Sequence, residues 1–148
     1  MKVRCKKKSG YYQFLVIPYN LELDNEDVAS SEGATSDTGE LEYDLTLEHD
    51  YTVYGIVVID GEIRYLLQDD HGYPGFFPSS LFEVLQSGLP LDWEIAEYHF
   101  RKKTMLVIGY SNLVNQYSHL RGILLLQPND VKIFLENKRK AMVIGAQS

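Results

Sequence analysis

The stretch from Leu45 to Leu85, LTLEHDYTVYGIVVIDGEIRYLLQDDHGYPGFFPSSLFEVL, constrains the fold of this chain more than any other. Tyr51–Ile59 is dominated by Tyr, Val, Ile and Thr with no charge among them, which predicts one strand. Both faces are apolar along Val53–Ile59, so that strand is expected to be central and covered on two sides. Asp60–Gly61 suits the positive φ angles of a type I′ turn and predicts a hairpin to Ile63–Gln68. Asp69–Gly75 (DDHGYPG) is punctuated by Gly72, Pro74 and Gly75 and reads as a second turn region. Phe76 and Phe77 would then re-enter the core. Pro78–Leu81 would form one helical turn, and Glu83–Leu85 a short closing strand.

On the N-terminal side, Lys2–Cys5 and Tyr11–Ile17 read as strands joined by a Ser9–Gly10 turn, with Pro18 ending the second. Glu22–Leu41 is rich in acid, Ser, Thr and Gly, so residues 19–44 are expected to form a mobile acidic loop. On the C-terminal side, Trp93–Phe100 and Thr104–Ile108 predict a strand pair joined across Arg101–Lys103. Ser111 can cap a helix carrying Leu113, Tyr117, Leu120 and Leu124 on one face, with Gly122 weakening its last turn. Pro128 suits the first position of a second helix, expected to reach about Ala141 with Val131, Phe134 and Leu135 inward and Met142–Ser148 frayed. The whole chain, 1–148, reads as a single α+β domain: N-terminal strands (1–17), the acidic loop (19–44), a β core (45–109) forming a small antiparallel barrel, and two C-terminal helices (111–141).

Composition narrows the function classes. A chain of 148 residues with 45% hydrophobic content can build a core. The lone Cys5 excludes an internal disulfide, no apolar run nears the roughly 20 residues that span a bilayer, and MKVRCKKKSG lacks the pattern of a signal peptide. A cytoplasmic, reducing location is expected. A net charge of −7 argues against nucleic acid as a partner. The distribution says more: Ser9–Ile63 contains no Lys or Arg, while its acids include Glu22, Asp24, Glu26, Glu40, Glu42, Asp44, Glu48 and Asp50. Such a block is either a solvated face or a surface that attracts a cationic partner.

Asp69, Asp70 and His71 form the one cluster that looks like chemistry, as metal ligands or as an acid–base set. Turn formation explains the same residues, because Asp before Gly bonds its own backbone, and neighbouring positions of an extended chain point apart. His49, His99 and His119 are isolated. Cys5 sits among cations that would lower a thiol pKa, but the sequence names no base for it, so a buried free thiol is expected. Ser79–Ser80 lacks a nucleophile elbow, and glycine-rich nucleotide fingerprints are missing. No catalytic residue, metal site or cofactor is therefore assigned. Tyr73 and Phe76 lie in a Gly/Pro-rich turn where a large side chain is hard to bury, so they are expected either to supply partner contacts beside the acids or to fold back onto the barrel rim.

The order Leu45-Thr46-Leu47, Tyr51-x-Val53, Gly61-x-x-x-Tyr65 and Gly75-Phe76-Phe77-Pro78-Ser79-Ser80 resembles a Src-homology-3-like barrel. There, a Gly-aromatic-Pro-Ser turn leads a short helix into the last strand. The Ala-Leu-Tyr-Asp-Tyr start and paired tryptophans of the eukaryotic module are missing, so its proline-peptide groove does not carry over. The run also resembles short uncharacterised bacterial proteins, and some small acidic proteins of that general kind are immunity partners of toxins. The expectation is a non-enzymatic protein-binding domain for a basic partner, with contacts at Asp69, Asp70, Tyr73, Phe76, Glu40, Glu42 and Asp44. The alternatives are a metal- or ligand-dependent enzyme using Asp69-Asp70-His71, and a homodimeric structural module using the apolar run Ile123–Leu126.

Overall fold

The computed structural model describes residues 1–11, 16–18, 21, 28–30, 40–100 and 102–147. Its strands are β1 (Lys2–Cys5), β2 (Ser9–Tyr11), β3 (Val16–Pro18), β4 (Val28–Ser30), β5 (Glu40–Glu42), β6 (Asp50–Thr52), β7 (Gly55–Ile59), β8 (Glu62–Gln68), β9 (Pro74–Pro78), β10 (Phe82–Gln86), β11 (Glu94–Phe100) and β12 (Lys103–Gly109). A one-turn 3-10 helix, Ser79–Leu81, joins β9 to β10; α1 (Ser111–Asn115), α2 (Tyr117–Leu124) and α3 (Pro128–Gln147) follow. The class is α+β with antiparallel pairing throughout. A five-stranded sheet runs β11-β12-β7-β8-β9, a three-stranded sheet runs β10-β1-β6, and β2-β5 and β3-β4 are separate pairs. Among the described residues no sheet closes into a barrel.

The β7–β8 hairpin forms as its residues predict. Asp60 and Gly61 have φ of 53° and 75°, the positive pair of a type I′ turn, and Ile59 pairs directly with Glu62. Tyr51–Ile59 differs from the single strand expected. It breaks at Val53–Tyr54, so that β6 pairs with β1 while β7 pairs with β8 and β12. Gly55 follows the break; a Cβ there would lie 2.4 Å from Leu113 Cδ2, so the glycine is what lets α1 lie against β7.

Because strand side chains alternate, the five-stranded sheet serves two cores. Val57, Ile59, Leu66, Phe76, Met105 and Val107 face the helices, where Leu113, Leu120, Ile123 and Phe134 are buried with Ile17. Tyr65, Leu67 and Phe77 face the three-stranded sheet and pack with Val3, Cys5, Leu45, Val53 and Leu81. Cys5 is thus a buried free thiol whose pKa burial pushes up, opposite to the lowering that its basic sequence neighbours suggested.

Four other expectations need correcting. Ser9–Gly10 is no turn, since both residues pair in β2 with Glu42 and Leu41 of β5. The acidic segment 19–44 contains two strands, β4 and β5; its residues 19–20, 22–27 and 31–39 lie outside the described ones. The helix opened by Ser111 is two helices broken at Gln116, and its N-cap is Tyr110 with no side-chain capping bond. Pro128 does start α3, but that helix runs to Gln147, with Phe134 inward, Val131 half-buried and Leu135 exposed. Among the described residues no helix is long and apolar enough to cross a membrane. Of the Ile123–Leu126 run, Ile123 and Leu124 are core, which leaves only Leu125 and Leu126 exposed.

Candidate functional site

Gln68 and Pro74 are the last paired residues of β8 and β9, and Asp69–Tyr73 close the turn between them. Asp69 organises this turn: its Oδ1 accepts the N–H groups of His71 and Tyr73, both at 2.9 Å. Gly72 adopts φ +87° and donates to the Asp69 carbonyl at 3.0 Å, while its own carbonyl accepts from Gln68 Nε2. Tyr73, with no inward position at this tip, is 54% exposed. Phe76, expected at the turn surface as a contact, does not project from the tip with Tyr73. Its position in β9 directs it to the helical core, where it is 2% exposed, because pairing with Leu66 fixes its face.

Asp70 turns the other way from Asp69. Its N–H donates to the Asp44 carbonyl at 2.9 Å, and its carboxylate accepts the hydroxyls of Thr46 and Tyr51, each at 2.6 Å. The Tyr51 oxygen also accepts the Thr46 N–H at 2.8 Å. Partial burial pushes the Asp70 carboxyl up, but the two hydroxyl donors outweigh it and hold the group below the usual carboxylate range. Burial first, and the Asp70 bond second, push the Tyr51 phenol up to about 12. Asp70 therefore clamps the turn to segment 44–51 and is a positioning residue rather than a free carboxylate.

That clamp places Asp44 beside the turn tip. His71 Nδ1 lies 3.1 Å from Asp44 Oδ2, with side chains 64% and 61% exposed. One ligand atom each from Asp44, Asp69 and His71 falls within 4.8 Å of the others, an oxygen–oxygen–nitrogen set of the kind divalent metals accept. The cluster expected from consecutive residues thus forms with Asp44 in place of Asp70.

Four further acids, Glu42, Glu48, Asp50 and Glu83, are met by the N-terminal cations. Arg4 pairs with Asp50 at 2.8 Å, Lys6 with Glu48 at 3.0 Å and with Glu83 at 3.6 Å, and Lys8 with Glu42 at 3.4 Å. In the sequence the basic and acidic blocks look separate, but pairing of β1 with β6 and of β2 with β5 interleaves them. Glu42 is exposed, whereas the side chain of Glu40 lies outside the described part.

A second histidine–carboxylate pair, not legible in the sequence, lies in the helical layer. His119 Nδ1 is 2.9 Å from Asp130 Oδ1, and His119 Nε2 is 2.7 Å from the Tyr110 hydroxyl. His119 is 1% exposed and the Asp130 side chain 19%. An ionised carboxylate only accepts, so Nδ1 carries the proton and Nε2 accepts the tyrosine O–H. Tyr110 and His119 are both buried, and Asp130 is the member of the string that reaches the surface. Comparison with protein-family models, curated proteins and solved structures gives no match.

Proposed function

We propose that this chain is a non-enzymatic protein-binding domain that presents Asp44, Asp69 and Tyr73 to a basic partner, in the manner of an immunity-type inhibitor of a toxin. The observation that carries the reading is the union of two distant segments: the Asp70 clamp holds Asp44 beside the turn from which Tyr73 projects. An exposed aromatic beside Asp44, whose carboxylate meets the His71 imidazole, and Asp69, whose Oδ1 is held by backbone N–H groups, suits a cationic, partly apolar contact. Glu42 forms the rim of this surface, with Lys8 partly offsetting its charge. A cytoplasmic setting belongs to the same proposal. The Src-homology-3-like reading of the core is supported by the Gly75–Ser80 run, in which a one-turn helix delivers the chain to β10 and back to β1.

The test is association with a basic protein encoded beside this chain, followed by stopped flow at two ionic strengths. Asp44→Asn with Asp69→Asn should slow association at low salt about tenfold and have little effect at high salt. Equal rates for native and variant proteins would sink the proposal. A second reading, a divalent-metal site, is favoured by the Asp44–Asp69–His71 cluster alone. Zinc or manganese would then raise the melting temperature of the native chain and leave that of His71→Ala unchanged.

A further inference from the structure

We infer that Tyr110, His119 and Asp130 form an acid-sensitive latch that holds α3 on the helical layer at neutral pH and releases it as the imidazole takes up a proton.

The three residues come from three places: the residue before α1, the first turn of α2 and the first turn of α3. Their string of hydrogen bonds, 2.7 Å and 2.9 Å, is therefore a cross-link between elements and not local to one helix. Asp130 is seated on α2 itself. A Cβ built on Gly122 would lie 1.8 Å from Asp130 Oδ2, so the only residue type that accepts this carboxylate at that place is glycine. That contact accounts for a glycine in the interior of α2, where it costs helix stability. Beyond Asp130, α3 is anchored by the buried Phe134, whose ring meets Tyr54 edge-on at 5.3 Å.

The string is complete in one protonation state. Neutral His119 donates through Nδ1 to Asp130 and accepts through Nε2 from Tyr110. A second proton on Nε2 would meet the tyrosine O–H, which would have to rotate away and lose its own acceptor in a buried place. Burial disfavours the imidazolium, and the Asp130 carboxylate only partly offsets that, so the His119 pKa lies below its ordinary value. Of the elements packed on α2, α1, β9 and β4 contain no titratable residue, whereas α3 adds Lys132, Glu136, Lys138, Arg139 and Lys140 beyond Asp130, and α2 itself adds Tyr117 and Arg121; the charge that acts on the imidazole is that of Asp130. The sign follows from linkage. With the docked pKa below the free value of about 6.5, the undocked state binds the proton more readily, so docking is fully favourable above about pH 6.5. Docking weakens as pH falls from there toward the docked pKa, by at most a factor of about ten per pH unit.

Amide hydrogen exchange on the intact chain at pH 7 and pH 5, corrected for intrinsic rates, tests this directly. Protection over residues 130–138 should fall about tenfold more than protection in β7 and β8. In His119→Gln, which cannot titrate, that selective drop should vanish. Unchanged protection of α3 in the native chain, or an equal drop in the variant, would overturn the latch. If His119→Gln fails to fold, NMR titration of the His119 ring in the native protein decides: a midpoint below about 6.5 supports the proposal, and one at or above it refutes it.

Discussion

Two histidine–carboxylate contacts of nearly equal length sit in opposite surroundings. His71 and Asp44 meet at 3.1 Å in water at a turn tip; His119 and Asp130 meet at 2.9 Å with the imidazole sealed inside the helical layer. Distance alone would rank them alike. In water the pair is screened and each partner is well solvated without the other, so its worth to folding is small. Inside, the imidazole has no water to fall back on and the carboxylate is mostly covered, so breaking the pair strands a buried ring nitrogen. The first pair is therefore free to serve recognition, while the second serves cohesion.

Substitutions can break this comparison, beginning with the largest effect. Phe134→Ala empties the anchor of α3 and should cost about 3–5 kcal/mol in denaturant unfolding. Gly122→Ala should cost about 1–3 kcal/mol by forcing Asp130 off its seat, although alanine is the better helix former. A stabilised variant would show that Asp130 moves freely and that the seam is loose. Tyr110→Phe leaves Nε2 without its donor and should cost about 1–3 kcal/mol near neutral pH. Its penalty should shrink under alkaline conditions. Burial, then the nearby Asp130 charge, raise the Tyr110 phenol well above its ordinary value, so its stabilisation is present below about pH 10 and is lost as the unfolded chain ionises above that. Asp44→Asn, at the exposed pair, should shift stability by no more than about 0.5 kcal/mol while slowing association with a basic partner. A penalty above about 1 kcal/mol there would erase the contrast between the two pairs.

How much of this was legible depended on how local the cause was. The β7–β8 hairpin, the 3-10 turn after Pro78 and the start of α3 at Pro128 each follow from a few adjacent residues with strong φ preferences or a β-branched run. The break at Val53–Tyr54 was hidden because Tyr51–Ile59 is uniformly strand-forming, and only packing against Leu113 gives Gly55 its meaning. For Phe76 the loop neighbours suggest an exposed contact, but its register with Leu66 turns it into the core, in line with the expectation that Phe76 and Phe77 re-enter it. Within the candidate site, Asp69 and Tyr73 were recognisable as turn residues, but Asp44 entered through a backbone bond to Asp70 that no local pattern announces. The Tyr110–His119–Asp130 string joins three elements and leaves no periodic trace.

The middle position of β1 in the three-stranded sheet carries a consequence for the order of events in folding. Its two partners are β6 and β10, the latter reached only near Gln86, whereas β7, β8 and β9 pair through short turns. Loop closure makes the distant pairings the slow ones. We expect the hairpin strands to gain protection first in pulse-labelled exchange and β1 to be captured late; early protection of Val3 would contradict that order. During synthesis, β1 emerges ahead of both its partners: one edge waits for β6, roughly fifty residues on, and the other stays bare until β10, roughly eighty residues on.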